Sequence, residues 1–293
     1  MNNNTNGNNN TVVGASAGFS NTTGAANVGV GFGALYTNTT GANNTAVGNN
    51  AMYNADGTLY NTAVGFQAMR QTTTGDYNTA VGYGSLYSNT TGTYNAAFGV
   101  NALYYNTIGV GNVAIGVSAL QSNTTGAYNI ALGSNALQNN TSGIQNTALG
   151  HQAGYNIIYA QNNAAVGYQA LYSNKSGYNN VALGVQSLYT ADATNSNVAV
   201  GFQAMRQTTT GDGNVSVGYQ SLYNNTTGQG NASFGYQSMD SNTYGSFNTA
   251  LGYAALGSNT TGSNNVAIGR ESLYNATITA YNVGVGFRAL YST

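Results

Sequence analysis

Titratable side chains are the first place to look for chemistry, and this chain has few of them. Its single histidine is His151, and its six acids are Asp56, Asp76, Asp192, Asp212, Asp240 and Glu271. A nucleophilic triad needs a base and an orienting group near one point, and a metal site needs several ligands. His151 has no cysteine and no nearby carboxylate in the sequence. The sequence therefore predicts a non-enzymatic protein with no catalytic residue, no metal site and no cofactor.

Two of the acids lie in duplicated segments. Residues 65–76 and 201–212 are identical, so Asp76 and Asp212 occupy equivalent places 136 residues apart (212 − 76). That distance is eight periods of a 17-residue repeat, or about 38 Å at ~4.8 Å per stacked β-coil. Duplication explains the pair better than catalysis by two carboxylates.

The repeat is the dominant feature of the chain. Asparagine recurs every 17 residues from Asn10 to Asn282, and a glycine follows four residues after each, from Gly14 to Gly286. We number positions 1 to 17 of each unit from its asparagine; residues 78–94 form a representative unit. So strict a period indicates identical structural units stacked in a row.

The pattern within a unit favours β-structure. Positions 2 to 4 form a short β-prone run, and positions 6 to 10 form a second run. Positions 12 to 15 often read Asn-Thr-Thr-Gly, which predicts a turn whose glycine supplies a positive φ. No helical spacing of apolar residues is sustained. We therefore expect an all-β protein, a parallel β-solenoid of about 17 coils in one continuous domain, residues 1–293.

Two columns are predicted to form the apolar core. Position 4 is Val, Ile, Leu or Phe in all 17 units, and position 9 is Leu or Met in 15 of 17, with Gly18 and Gly154 as the exceptions. Position 3 is small except at Val12, and position 8 is always Ala or Ser. Because alternate strand residues face opposite sides, both faces of this strand are expected to be crowded. Either a neighbouring chain or a tightly wound single coil explains this.

Polar and aromatic columns are expected to stack. The asparagines at position 1 predict side-chain amide ladders along the solenoid. The tyrosines at position 10 predict a partial aromatic column, which either packs internally or binds a partner or a sugar ring. They are Tyr36, Tyr53, Tyr87, Tyr104, Tyr172, Tyr189, Tyr223, Tyr274 and Tyr291.

Composition excludes several functions. Charged residues are 4% of the chain and the net charge is −1, so no surface has the Lys and Arg needed to bind nucleic acid. There is no cysteine for a disulfide or thiolate site. The β-branched and aromatic residues at fixed places oppose disorder. No apolar stretch approaches the ~20 residues of a membrane span, and residues 1–9 do not resemble a signal peptide.

Asn-x-Ser/Thr acceptors recur in the predicted turn, where a glycan has room if the turn lies on the surface. They begin at Asn21, Asn38, Asn89, Asn123, Asn140, Asn174, Asn225, Asn259 and Asn275.

Both termini look like open coils rather than caps. Met1 fits the Leu/Met position of a unit, and Thr293 falls at position 12. Because open strand edges recruit further strands, we expect either a segment of a longer fibre or subunits that stack end to end.

The pentads 44–48, 61–65, 112–116 and 265–269 resemble the head repeats of trimeric autotransporter adhesins. The string 168–174, Tyr-Gln-Ala-Leu-Tyr-Ser-Asn, is similar to repeats of bacterial and phage tail-fibre-like proteins. The resemblance implies a left-handed β-roll, often a trimer, displayed outside the cell or on a cell or virion surface for attachment to a host surface or a glycan. The adhesin heads have a shorter coil, and we do not expect residues 1–293 to include a stalk, anchor or signal peptide of the adhesin kind.

We therefore expect a structural surface fibre with adhesive properties whose partner is itself. A self-assembling extracellular filament built by end-to-end stacking is the alternative. Ice binding by threonine columns is a lesser alternative, because the adjacent pairs such as Thr22 and Thr23 point to opposite sides of the strand.

Overall fold

The computed structural model describes residues 4–292. The chain divides into two compact units, Met1–Gln145 and Asn146–Thr293. Both are parallel β-solenoids with one coil per 17 residues, as the sequence predicts, and the described residues contain no helix. The expectation of one continuous domain and the left-handed sense of winding stay predictions. Of the expected open ends, residues 1–3 and 293 lie outside the described residues.

Each coil contributes one three-residue strand at positions 2 to 4. The first unit contains β1 Thr11–Val13, β2 Val28–Val30, β3 Thr45–Val47, β4 Thr62–Val64, β5 Thr79–Val81, β6 Ala96–Phe98, β7 Val113–Ile115 and β8 Ile130–Leu132. The second contains β9 Thr147–Leu149, β10 Ala164–Val166, β11 Val181–Leu183, β12 Val198–Val200, β13 Val215–Val217, β14 Ala232–Phe234, β15 Thr249–Leu251, β16 Val266–Ile268 and β17 Val283–Val285.

Strand pairing follows the repeat without slippage. Within each unit every strand pairs in parallel with the next, and each residue lies opposite the residue 17 positions further on; Ala114, for example, faces Ala131. Backbone bonds continue the ladder beyond the strand, as from Val113 N to Asn129 O at 2.8 Å. Equivalent residues of successive coils therefore stack on one another, and an insertion would break this register.

The second β-prone run is not a strand, so that prediction is wrong. Positions 7 and 9 have left-handed backbones, as at Ser118 (φ 55°) and Leu120 (φ 50°), whereas a strand needs an extended backbone. The run forms turns instead, with Ala119 N donating to Gly116 O at 3.4 Å and Asn123 N donating to Leu120 O at 3.1 Å. Left-handed geometry at a non-glycine residue costs ~1–2 kcal/mol, so the stacked coils must stabilise these corners.

The turn glycine at position 15 has a different role from the predicted one. Gly126 is not among the residues with positive φ. A Cβ at Gly126 would lie 2.3 Å from Asn123 Oδ1 and 2.5 Å from Gly143 O in the next coil. The close approach of the coils therefore favours glycine at this position without requiring it, since other coils carry Thr58, Ala160 or Thr194 there.

The core differs from the predicted one in one column. Position 9 is buried as expected, with Leu120 and Met205 both 0% exposed. The prediction that position 4 is buried is wrong, because its side chains point outward and Leu132 is 43% exposed. The inward strand residue is the small one at position 3, since Ala114 and Ala131 are 0% exposed. The Leu or Met at position 9 fills the narrow interior, so only a small residue fits opposite it.

The two coils without Leu or Met at position 9 carry a larger inward residue elsewhere. Gly18 shares its coil with Val12, the one bulky residue at position 3, and Gly154 shares its coil with Ile157, which is 1% exposed. A cavity of about 10 Å³ remains beside Val12, Gly18 and Leu35. It is at the lower limit for one water molecule, so it is a packing defect rather than a ligand site.

Candidate functional surfaces

The acids are dispersed and most of them bond to a neighbouring coil. Asp76 and Asp212 accept hydrogen bonds from the backbone nitrogens of Leu59 and Asn195, both at 2.7 Å. Asp56 likewise accepts from Thr39 N at 3.0 Å. These bonds all span 17 residues, so the twin aspartates have the same structural role, which the sequence analysis missed.

The remaining titratable groups also lie apart. His151 is exposed and stacks on Tyr168 with ring centroids 5.8 Å apart. Asp192 pairs with Lys175 at 3.0 Å. Asp240 is half-buried, and burial raises the pKa of its carboxyl. Among residues 4–292, no three His, Cys, Asp or Glu side chains come together as a metal-binding group.

Glu271 lies between two arginines near a surface notch. Its carboxylate accepts bonds from Arg288 Nε at 2.6 Å and from Arg270 Nε at 3.1 Å, and Arg288 above all holds the pKa of that carboxyl below its usual value. The notch has a volume of about 230 Å³ and opens where Ala254 replaces the longer side chains of its column. Arg288 and Glu271 both line the notch, so it favours neither an anionic nor a cationic ligand.

The asparagines at position 1 form the predicted ladder. Asn129 donates from its backbone N and from Nδ2 to Asn112 Oδ1, at 3.0 and 3.1 Å, and Asn112 does the same with Asn95. The Nδ2 of Asn112 also donates to Gly126 O at 2.8 Å, across the coil. All three side chains are essentially buried, so this column holds the coil together and is not a binding surface.

The asparagines at position 12 form a second internal ladder. Asn123 Nδ2 donates to Asn106 Oδ1 at 2.7 Å and to Gly126 O at 3.0 Å. Of the nine acceptor asparagines named in the sequence analysis, eight occupy this column and are at most 3% exposed, whereas Asn275, at position 11, is exposed. The expected glycan site on a surface turn is therefore wrong for these eight, because the side chain that would carry the glycan points inward.

Aromatic residues stack in three columns, not only the predicted one. At position 10, Tyr36 and Tyr53 lie 4.7 Å apart, and Arg70 lies over the Tyr53 ring at 5.3 Å. The columns at positions 6 and 17 were missed, although the sequence carries recurring Phe and Tyr there. The position-6 run is Phe202, Tyr219, Tyr236 and Tyr253; the position-17 run is Tyr60, Tyr77 and Tyr94.

Stacking limits what these columns bind. Neighbouring rings are nearly parallel, with planes 2–15° apart and centroids 4.7–5.8 Å apart. Inside a run each ring is therefore covered on both faces by its neighbours, whereas a ring at the end of a run, such as Tyr94 beside Gly111, has an aromatic neighbour on one face only. A sugar that packs on an aromatic face has no access within such a stack, which favours the packing interpretation of the tyrosines.

The outward strand face carries a regular column of exposed apolar side chains. Position 4 is apolar in every unit and position 2 is Thr, Val, Ile or Ala. Exposure at position 4 reaches 39% at Ile115, 45% at Leu183 and 49% at Leu251. In each coil the two outward side chains lie ~7 Å apart, and successive coils lie ~4.8 Å apart. The stacked coils of one compact unit therefore present about 300 Å² of this surface. A patch of ~300–600 Å² is the largest that a typical monomer exposes. We call these side chains the apolar strand face.

No protein-family model matches the chain, and no curated protein is similar to it in sequence. Among residues 4–292 there is no helix that is both long enough and apolar enough to cross a bilayer.

Proposed function

We propose that the protein is a non-enzymatic structural fibre whose copies associate through the apolar strand face. The observation that carries this proposal is the position-4 column, which is Val, Ile, Leu or Phe in all 17 units although it contributes little to the interior. A column that only faced water would accept Lys, Glu or Gln. Burying a half-exposed Leu or Ile against another copy contributes ~25 cal/mol per Å², and the repeat adds that gain coil by coil.

The apolar strand face of each compact unit measures about 300 Å², the size of the largest apolar patch on a typical monomer. It would form the apolar centre of an interface between copies, in which each partner buries ~800 Å² in standard cases. The face lacks charged side chains, as does the core of an obligate interface. A trimer is the assembly that the resemblance to adhesin heads favours, and display on a cell or virion surface for attachment to a host surface or glycan rests on the same resemblance.

The test compares two lysine variants in adjacent coils. Leu132→Lys places a charge on the apolar strand face, whereas Thr125→Lys places the same charge on an exposed position-14 residue elsewhere on the coil. Sedimentation velocity of the wild type and Thr125→Lys should show an oligomer, and Leu132→Lys should sediment as a monomer with unchanged circular dichroism. A monomeric wild type at every concentration would contradict the proposal.

The filament alternative differs in the contact that it uses. End-to-end stacking joins coils through backbone ladders, so it predicts unbounded threads in electron micrographs that Leu132→Lys leaves intact. Lateral association instead predicts rods of fixed length. Micrographs of the wild type and this variant separate the two.

Ice binding is the weakest of the three functions. Thr22 Oγ1 donates to Thr39 O at 3.0 Å, whereas Thr23 is exposed. The first threonine of the pair thus bonds to the backbone of the next coil, and the second is left exposed. The exposed threonines form a single column rather than a two-dimensional array of hydroxyls. A thermal-hysteresis measurement on the wild type should show no activity.

A further inference from the structure

The tyrosine stacks bring phenol rings of successive coils together at the surface. Tyr60, Tyr77 and Tyr94 occupy position 17 of three consecutive coils, and both pairs of ring centroids are 5.1 Å apart. Their planes differ by 11° and 6°, so the three rings are nearly parallel and lie about one coil apart. The three side chains are 51%, 48% and 62% exposed, so each is open to a dissolved oxidant.

We propose that this stack is a site of oxidative cross-linking, in which a one-electron oxidant joins tyrosines of successive coils as dityrosine. The class of oxidant is a peroxidase with hydrogen peroxide. Each phenol loses one electron and one proton to become a tyrosyl radical. The two radicals form a carbon–carbon bond between the ring carbons next to the hydroxyls, and the hydrogens on those carbons move to the oxygens. Overall, two tyrosines and one hydrogen peroxide give one dityrosine and two waters.

The fold favours coupling within the chain over coupling between molecules. A radical on Tyr77 always has another phenol about one coil away on each side, so the reaction is intramolecular and has a high effective concentration. The backbone fixes the direction of the side chains, since Tyr60, Tyr77 and Tyr94 all have φ of 57. Each link would tie two coils covalently and stiffen the solenoid, whether or not copies associate through the apolar strand face.

The chain supplies a matched control in the same column. Tyr128 also occupies position 17, has φ of 58 and is 63% exposed. Its neighbours in the column are Gly111 and Gln145, so it has the same backbone and exposure without a stacked phenol.

The positions of the basic residues give a simple readout. Trypsin cuts after Arg70 and next after Lys175, so it separates Tyr60 from Tyr77. The protein is treated with peroxidase and peroxide in its folded state, then denatured and digested. A Tyr60–Tyr77 link keeps fragment 1–70 attached to fragment 71–175, and mass spectrometry should find the joined product lighter by two hydrogen atoms than the sum of the two.

The variants decide the outcome. Tyr77→Phe keeps a stacked ring but has no phenol, and it should lower the yield of the joined fragment by at least about tenfold, because Tyr60 then has no phenol in the next coil to couple with at high effective concentration. Tyr128→Phe should leave that yield unchanged. Oxidation of the wild type in denaturant should not give the joined fragment in comparable yield.

Three results would overturn the proposal. They are equal yields of joined fragment from folded and denatured protein, an unchanged yield in Tyr77→Phe, and links that form mainly between molecules through Tyr128. Circular dichroism of both variants shows whether the fold is retained, and the yield from Tyr128→Phe guards against a general effect of removing an exposed phenol.

Discussion

The side-chain oxygen of Asn112 accepts two hydrogen bonds from Asn129, one from the backbone N at 3.0 Å and one from Nδ2 at 3.1 Å. One amide therefore satisfies both the backbone and the side chain of the next coil. Because the same side chain donates to Gly126 O, it links the start of its coil to the turn that closes it. Few other residues have an acceptor and a two-proton donor at this distance from the backbone.

Replacing Asn112 should therefore destabilise the solenoid strongly. Asn112→Ala removes the acceptor for Asn129 N and one of the two acceptors of Asn129 Nδ2, which keeps its bond to Gly143 O. It also removes the donor to Gly126 O, and each buried group left unsatisfied costs ~1–3 kcal/mol. We expect a loss of about 3 kcal/mol in the free energy of unfolding, measured by urea denaturation. Asn49→Ala is the control, because Asn49 is exposed at position 6; a similar loss there would refute the role of the ladder.

The corrected core predicts different costs for two large apolar residues of one coil. Leu120→Ala empties a fully buried site and should cost about 2–5 kcal/mol. Ile115→Ala, at a residue 39% exposed, should cost less than about half as much when the protein is studied as a dilute monomer. Chemical unfolding of both variants measures these costs. Equal shifts of the two unfolding midpoints would instead indicate that the position-4 side chain points inward.

Replacement by alanine should have different costs at two glycines that both have positive φ. At Gly82 (φ 136) a Cβ would lie 2.5 Å from Gly99 O, whereas at Gly213 (φ 67) it meets nothing within 4 Å. Gly82→Ala should cost more than about 4 kcal/mol or prevent folding. Gly213→Ala should cost only ~1–2 kcal/mol, the strain of the left-handed backbone. Thermal melts of both variants test this, and similar melting temperatures would contradict it.

Burial predicts which acceptor sites an enzyme modifies in the folded chain. Asn275 is exposed, whereas Asn123 is 0% exposed and bonded to Asn106. When the folded protein is incubated with a soluble N-glycosyltransferase, peptide mass mapping should find a sugar at Asn275 and none at Asn123. Substantial occupancy at Asn123 with the fold intact would show that the inner ladder opens.

Asp240 predicts a dependence of stability on pH. Burial raises the pKa of its carboxyl in the folded chain above the ordinary value of 3.8, so the folded state binds that proton more tightly than the unfolded state does. The ionised carboxylate therefore destabilises the fold at neutral pH, and this penalty is relieved as the pH falls through the raised pKa. Asp240→Asn should melt higher than the wild type at pH 7, and the difference should shrink below the ordinary pKa. A lower melting temperature for the variant at pH 7 would contradict this.

The sequence by itself determined the period, the β-solenoid, the parallel pairing of residues 17 apart and the asparagine ladder. These follow from the unbroken spacing of asparagine and glycine, because only stacking of like on like explains it. The burial of Leu or Met at position 9 was also predictable, since a large apolar residue recurs there in 15 of 17 repeats.

Only the tertiary structure decided which face of the strand points inward. Alternation shows that positions 3 and 4 face opposite sides, but hydrophobicity favours burial of Val or Leu over Ala. The choice depends on the width of the coil, which the left-handed corners at positions 7, 9 and 17 set and which no local pattern encodes. The same corners turn Asn123 inward and replace the expected second strand. The large side chains of position 4 therefore lie on the outside, because the side chain of position 9 already fills the narrow interior.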